Sequence, residues 1–206
     1  MNEREFFDYL RKKTEEIFKT TSIYKTHPDK NWNYAICDTT IKKGKPIIFG
    51  LNWGGNDIDA QSEYPKDDKS RNWNFISHSN NFFQEYLKIS DISEVNYSNL
   101  CFFRSPKVHL MKDGKDWELA IDLFNEYVHY IKPSLTVMLG KTGIPKLNSN
   151  KSLTDLNRIE EKDKRKRVFG YKGKLFGKYS FACVPHPQVR ISTETRENIW
   201  RKVFGN

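Results

Sequence analysis

Two short segments and one strand-like run carry the residue types from which chemistry could be built. Asn52 ends the apolar run Pro46-Ile-Ile-Phe-Gly-Leu-Asn52, which opens into Gly50-Leu-Asn-Trp-Gly-Gly-Asn-Asp57. Three glycines in those eight residues allow backbone to approach a ligand closely and put Asn52 at the tip of a buried strand. A structural turn accounts for Gly54-Gly55 equally well, and the spacing is neither a Walker loop nor a dinucleotide fingerprint. In Val184-Pro-His-Pro-Gln-Val-Arg190, His186 stands between two prolines and so projects from a loop with little backbone freedom. Such rigid placement is what electrostatic catalysis needs. An isolated His-Pro is by default a turn histidine in solvent, as His27-Pro28 is read here, and His78, His109 and His129 have no partner pattern. Asn99, in Asn96-Tyr-Ser-Asn-Leu-Cys-Phe-Phe103, has an amide that donates and accepts at once and could read the edge of a base; the default is a hydrogen-bonded strand residue.

The elements that must hold these residues follow from pattern. Phe6, Phe7, Leu10, Ile17 and Phe18 have the spacing of an amphipathic first helix, and Asn81–Leu87 also reads as helical. Trp117, Ala120, Ile121, Phe124, Val128 and Ile131 predict a helix stopped by Pro133, and Glu194–Phe204 a closing one. Strands are predicted at Pro46–Asn52, Asn96–Phe103, Leu135–Leu139 and Lys178–Val184. Trp53–Asn80 has no regular period and reads as a long functional loop. Asn148–Arg167, polar and ending in Lys164-Arg-Lys-Arg167, reads as a loop or exposed helix. Short strands separated by helices imply an α/β protein with a mostly parallel sheet, whose ligands bind beyond the C-terminal strand ends. Asn52, Asn99–Pro106 and His186 all fall at such ends.

Composition bounds the class. The 206 residues, with 37% hydrophobic and 14% aromatic side chains, suffice for one packed domain over 1–206 despite a mean hydropathy of −0.77. No apolar run approaches the roughly 20 residues of a membrane span, and the N-terminus lacks a signal-peptide core; the expectation is a soluble, cytoplasmic protein. Cys37, Cys101 and Cys183 are odd in number and far apart, which suits reduced, buried thiols better than disulfides or a metal set. Lys and Arg total 35 against 26 Asp and Glu, a net +9. That surplus makes a polyanion the first partner to consider and a solvated basic surface an even alternative.

Taken in order, these segments resemble the uracil-DNA glycosylase superfamily. Gly50-Leu-Asn-Trp-Gly is similar to its first motif, closest to the Gly-x-Asn-Pro-Gly form of the mismatch-specific and single-strand-selective branches. Tyr97–Pro106 resembles the strand whose Asn binds the flipped base, His186-Pro-Gln-Val-Arg190 the His-Pro-Ser-Pro-x motif, and Lys132–Lys141 the intervening strand. The resemblance covers roughly residues 45 to 192 and implies a three-layer α/β/α sandwich on a four-stranded, mostly parallel sheet. It also implies a monomeric, metal-independent enzyme without cofactor that flips a nucleotide out of DNA and hydrolyses its N-glycosidic bond. Asn52 would orient the water and His186 would stabilise charge on the departing pyrimidine's oxygen. Gly50, Leu51, Gly54 and Asn99 would surround the base, with Phe75, Tyr64 or Trp73 stacking on it. Arg190, Gln188 and Lys141 would contact DNA, Arg190 as a wedge in the duplex or as a surface phosphate clamp.

The sequence also departs from the family pattern. Trp53 stands in place of Pro, and Gln188 in place of Ser. Gly54 takes the place of a bulky aromatic that blocks the C5 side of the base in strict uracil enzymes, so the expected substrates include C5-modified pyrimidines as well as uracil. The setting would be base-excision repair or defence against modified phage DNA. Asp57 is a second candidate for activating water, without a motif match. Lys162–Arg167, with Lys172, Lys174 and Lys178, could track a DNA backbone or form a solvated face. The alternatives are an inactive nucleic-acid-binding module of the same fold and an unrelated α/β hydrolase of small molecules; Asn52, Asn99 and His186 favour the enzyme over the module, and the charge disfavours the hydrolase.

Overall fold

The computed structural model describes residues 1–26, 33–54, 59–67, 80–105 and 110–205. Helix α1 (Glu3–Thr20) buries Phe6, Phe7, Leu10, Thr14 and Phe18 along one stripe. Asn2 and Glu5 close its start with reciprocal side-chain-to-backbone hydrogen bonds of 2.9 and 2.8 Å. A short α2 (Ser22–Thr26) follows, then β1 (Ile47–Asn52), α3 (Asn80–Leu87), β2 (Asn96–Cys101), α4 (Gly114–Ile131) and β3 (Thr136–Leu139). The chain continues through α5 (Ile144–Ser149), β4 (Leu153–Asp163), β5 (Lys166–Leu175), β6 (Tyr179–Val184) and α6 (Thr193–Phe204).

All strands belong to one sheet in the order β2-β1-β3-β6-β5-β4. The first four run parallel, and β5 and β4 add to β6 as an antiparallel hairpin. Side chains alternate between two cores, as strand geometry requires. Phe49, Met138 and Phe181 face α1 and α4, whereas Ile48, Val137 and Val184 face α3 and α6, where Trp200 stacks on Phe82 and meets Phe83 edge-on. Helices therefore cover both faces, the three layers expected.

The expected four-stranded sheet is corrected to six strands. Asn148–Arg167, read as a loop or exposed helix, contains β4 and the start of β5. Its charged residues are those of an edge strand, which natural sheets keep polar against edge-to-edge pairing, and they mask the strand period. On the far edge, residues 33–39 lie beside β2. Tyr34 and Cys37 form antiparallel bridges to Phe103 and Ser98, and the Asp38 amide donates to the Tyr97 carbonyl at 3.0 Å. Cys37, Cys101 and Cys183 are free thiols, and burial pushes all three upward in pKa. Among the described residues no helix is long and apolar enough to cross a membrane.

Candidate active site

Beyond the C-terminal ends of the parallel strands lies a cleft of about 570 Å³, a size usual for small-ligand sites. It brings together seven of the residues singled out in the sequence: Gly50, Leu51, Asn52, Gly54, Asn99, His186 and Gln188. Neighbouring strand ends supply them, β1 giving Asn52, β2 giving Asn99 and the turn after β6 giving His186.

Gly50 and Asn99 are register partners across β1 and β2. A Cβ on Gly50 would stand 2.4 Å from Oδ1 of Asn99, closer than any real contact, so glycine here makes room for the amide. Asn99 is 5% exposed, and it lines the cleft. Its natural complement is a ligand edge that offers both a donor and an acceptor.

Asn52 is oriented by Ser105. Its Nδ2 donates to the Ser105 carbonyl at 3.3 Å and to Oγ at 3.2 Å, while the Ser105 amide donates to the Trp53 carbonyl at 3.3 Å. These bonds tie the end of β1 to the chain leaving β2. With Nδ2 engaged as the donor, Oδ1 is the atom this side chain presents to a water.

His186 sits against Gly140, whose φ of 89° suits glycine and where a Cβ would stand 3.2 Å from the His186 Cβ. The backbone N–H of Gln188 donates to Nδ1 of His186 at 3.2 Å. That bond makes Nδ1 the acceptor, so the neutral ring carries its proton on Nε2 as a donor. Burial, reinforced by the nearby Arg196 guanidinium, holds the imidazole below its ordinary pKa and favours the neutral form.

Arg196 of α6 was not anticipated from the sequence. It is 7% exposed, and it donates through Nη1 to the His186 carbonyl at 3.1 Å and through Nη2 to the carbonyls of Pro187 at 3.1 Å and Val189 at 2.9 Å. A buried guanidinium satisfied by carbonyls holds the turn in one shape. Its only signal in the sequence is an arginine on the apolar face of the last helix, beside Ile199 and Trp200.

The β2 end of the cleft adds Trp53, the departure from the family's Pro, together with Asp38 and Tyr97, to which the sequence had given no role. Trp53 meets Tyr97 edge-on at 6.0 Å, and the Arg104 guanidinium lies 5.8 Å from the Trp53 ring while donating to the Gly54 carbonyl at 3.3 Å. Among the described residues, a Cβ on Gly54 would meet no atom within 4 Å. Tyr64, one of the stacking candidates, is corrected to a core residue: it packs edge-on against Phe7 of α1 and its hydroxyl accepts from the Ile41 amide at 2.8 Å. Phe75, Trp73 and Asp57 lie outside the described residues. Arg190 is exposed beside the β4–β5 turn, and Lys141 rests 4.3 Å from the Phe169 ring of β5; neither lines the cleft.

Compared with known proteins, the chain matches no family profile and no curated protein significantly. The site's own geometry offers an amide oriented by Ser105 and an imidazole oriented by its turn, both on the lining of one cleft.

Proposed function

We propose that this protein is a monofunctional DNA glycosylase, hydrolysing the bond between deoxyribose and a flipped uracil or C5-modified pyrimidine. One observation carries the reading: Asn52, Asn99 and His186, from three separate segments, converge on the lining of one cleft. The same three residues carry the sequence resemblance, and the four parallel strands it implies form a contiguous part of the sheet.

In this mechanism the nucleotide leaves the duplex and its base enters the cleft, because the bond is out of reach inside the stack. Asn99 hydrogen-bonds the base edge. The C1′–N1 bond breaks with its electron pair moving onto the base, and the Nε2–H of His186 stabilises the resulting anion through a hydrogen bond that strengthens as charge develops. A water held by Oδ1 of Asn52 adds to C1′ and releases its proton to solvent or to the departing base. The open space at Gly54 accommodates a substituent at C5, and the reaction serves base-excision repair or the removal of modified bases from foreign DNA.

The test is incubation with duplex and single-stranded oligonucleotides carrying uracil or 5-substituted pyrimidines, scored as alkali-sensitive abasic sites. Excision of at least one base, lost by about 10²–10³-fold in His186→Ala with DNA binding retained, is the expected result. Binding without excision of any base would instead support an inactive module, and full activity in His186→Ala would remove the assigned role.

A further inference from the structure

The β4–β5 hairpin is not among the four strands that the resemblance implies, and it extends toward the site. Its ladder with β6 ends at the Tyr171–Cys183 pair, so Lys166–Phe169 and their β4 partners run past Val184, the last residue of β6. At about 3.4 Å per residue the overhang is roughly 14 Å beyond the strand end that carries the His186 turn. The hairpin tip and that turn enclose an open groove of about 800 Å³.

Four cations line the groove: Lys164, Arg165 and Lys166 from the tip and Arg190 from the His186 turn. All four are exposed, and none forms an ion pair among the described residues. Neighbouring charges are matched differently: Arg167 pairs with Glu160 within the hairpin, and Glu161 pairs with Lys202 of α6. The groove's one acid, Asp163, is turned inward. Its Oδ1 accepts from the Ser192 amide and the Thr195 hydroxyl, both at 3.1 Å. That pair of bonds ties the tip to the start of α6, so the three tip cations keep a set position relative to Arg190 and His186.

We propose that this groove is a clamp for the sugar-phosphate backbone of the DNA strand that enters the cleft, the hairpin holding phosphates on the β6 side. The clamp rests on the glycosylase reading for the identity of its ligand, and the charge arrangement fits phosphates spaced along an extended backbone.

The test compares the full-length protein with the Lys164→Gln/Arg165→Gln/Lys166→Gln variant, using a 20-base-pair duplex bearing a tetrahydrofuran abasic analogue. Affinity is followed by fluorescence anisotropy against KCl concentration, and thermal melting confirms that the variant is folded. Each neutralised phosphate contact contributes a slope of about −0.9 in log affinity against log salt, so the slope should become shallower by about two to three. An unchanged slope overturns the clamp even where the parent excises a base, which leaves the glycosylase reading standing. A shallower slope in a protein that excises nothing supports the clamp and removes that reading, and a parent that does not bind the duplex removes both.

Discussion

Arg196 donates to the carbonyl oxygen of His186 at 3.1 Å, so a helix on one face of the sheet fixes the backbone of the cleft's histidine. The same guanidinium holds Pro187 and Val189, and Gln188 between them bonds the imidazole itself. The turn is thus built around a positioning residue that lies outside the cleft lining.

Arg196→Met should lower the excision rate at saturating protein by about 10²-fold, because small misplacements of a catalytic group cost that much. DNA affinity should change only a few-fold. Arg196→Lys should recover part of the rate, since a point donor can serve some of the carbonyls but not the whole fork. Single-turnover kinetics alongside equilibrium binding makes the check; a matched loss in both would indicate general unfolding of the turn.

The pH profile follows from the lowered pKa of His186. Neutral imidazole donates from Nε2, and a second proton would have to enter at Nδ1, opposite the Gln188 amide. Activity should therefore be level at and above the ordinary imidazole range near 6.5 and decline only below it. A folded-state pKa below the unfolded one means that this group's stabilising contribution is present above about pH 6.5 and is lost as pH falls from there through the folded value. Arg196→Met should shift the decline in rate upward, toward 6.5. A decline that stays in place would show that the guanidinium does not act on the ring.

Gly50→Ala should lower kcat/KM by about 10²-fold through displacement of Asn99. The stability cost should be that of overpacking, about 1–3 kcal/mol. If Gly50 acts only by making room for Asn99, adding Gly50→Ala to Asn99→Ala should cost almost nothing further in rate. A double-mutant cycle on excision rates measures the coupling directly.

Gly54→Tyr places an aromatic ring where no atom of the described residues lies within 4 Å of the Cβ position. Uracil excision should persist within a few-fold, whereas excision of 5-substituted pyrimidines should fall by about 10²-fold, a size typical of steric discrimination in a pocket. Competition between the two bases in one reaction gives the ratio. Equal losses for both would place the substituent elsewhere.

The parallel part of this fold was legible because β1, β3 and β6 are short, buried runs bounded by Gly or Pro, and both long helices have unbroken apolar stripes. The convergence of Asn52, Asn99 and His186 was legible for the same reason, since strand ends in a parallel sheet gather on one edge. The hairpin was hidden by charge: Leu153, Leu156 and Ile159 are spaced three apart, and a register shift between Thr154 and Asn157 breaks the alternation that would mark a strand. Asp38 was hidden by distance, because it reaches the cleft through backbone pairing with β2, far along the chain, and such pairing leaves no side-chain period. Arg196 was hidden because a helix pattern reports which face is buried and not which carbonyls a buried guanidinium will find.

The segment at 33–39 both walls the cleft with Asp38 and occupies the outer backbone of β2. Peeling it away would therefore do two things at once, leaving β2 as a bare edge strand able to recruit a second chain and removing one side of the binding site. Damage to this stretch should be seen as oligomer formation and lost activity together, so that a partly unravelled molecule leaves the active pool by self-association.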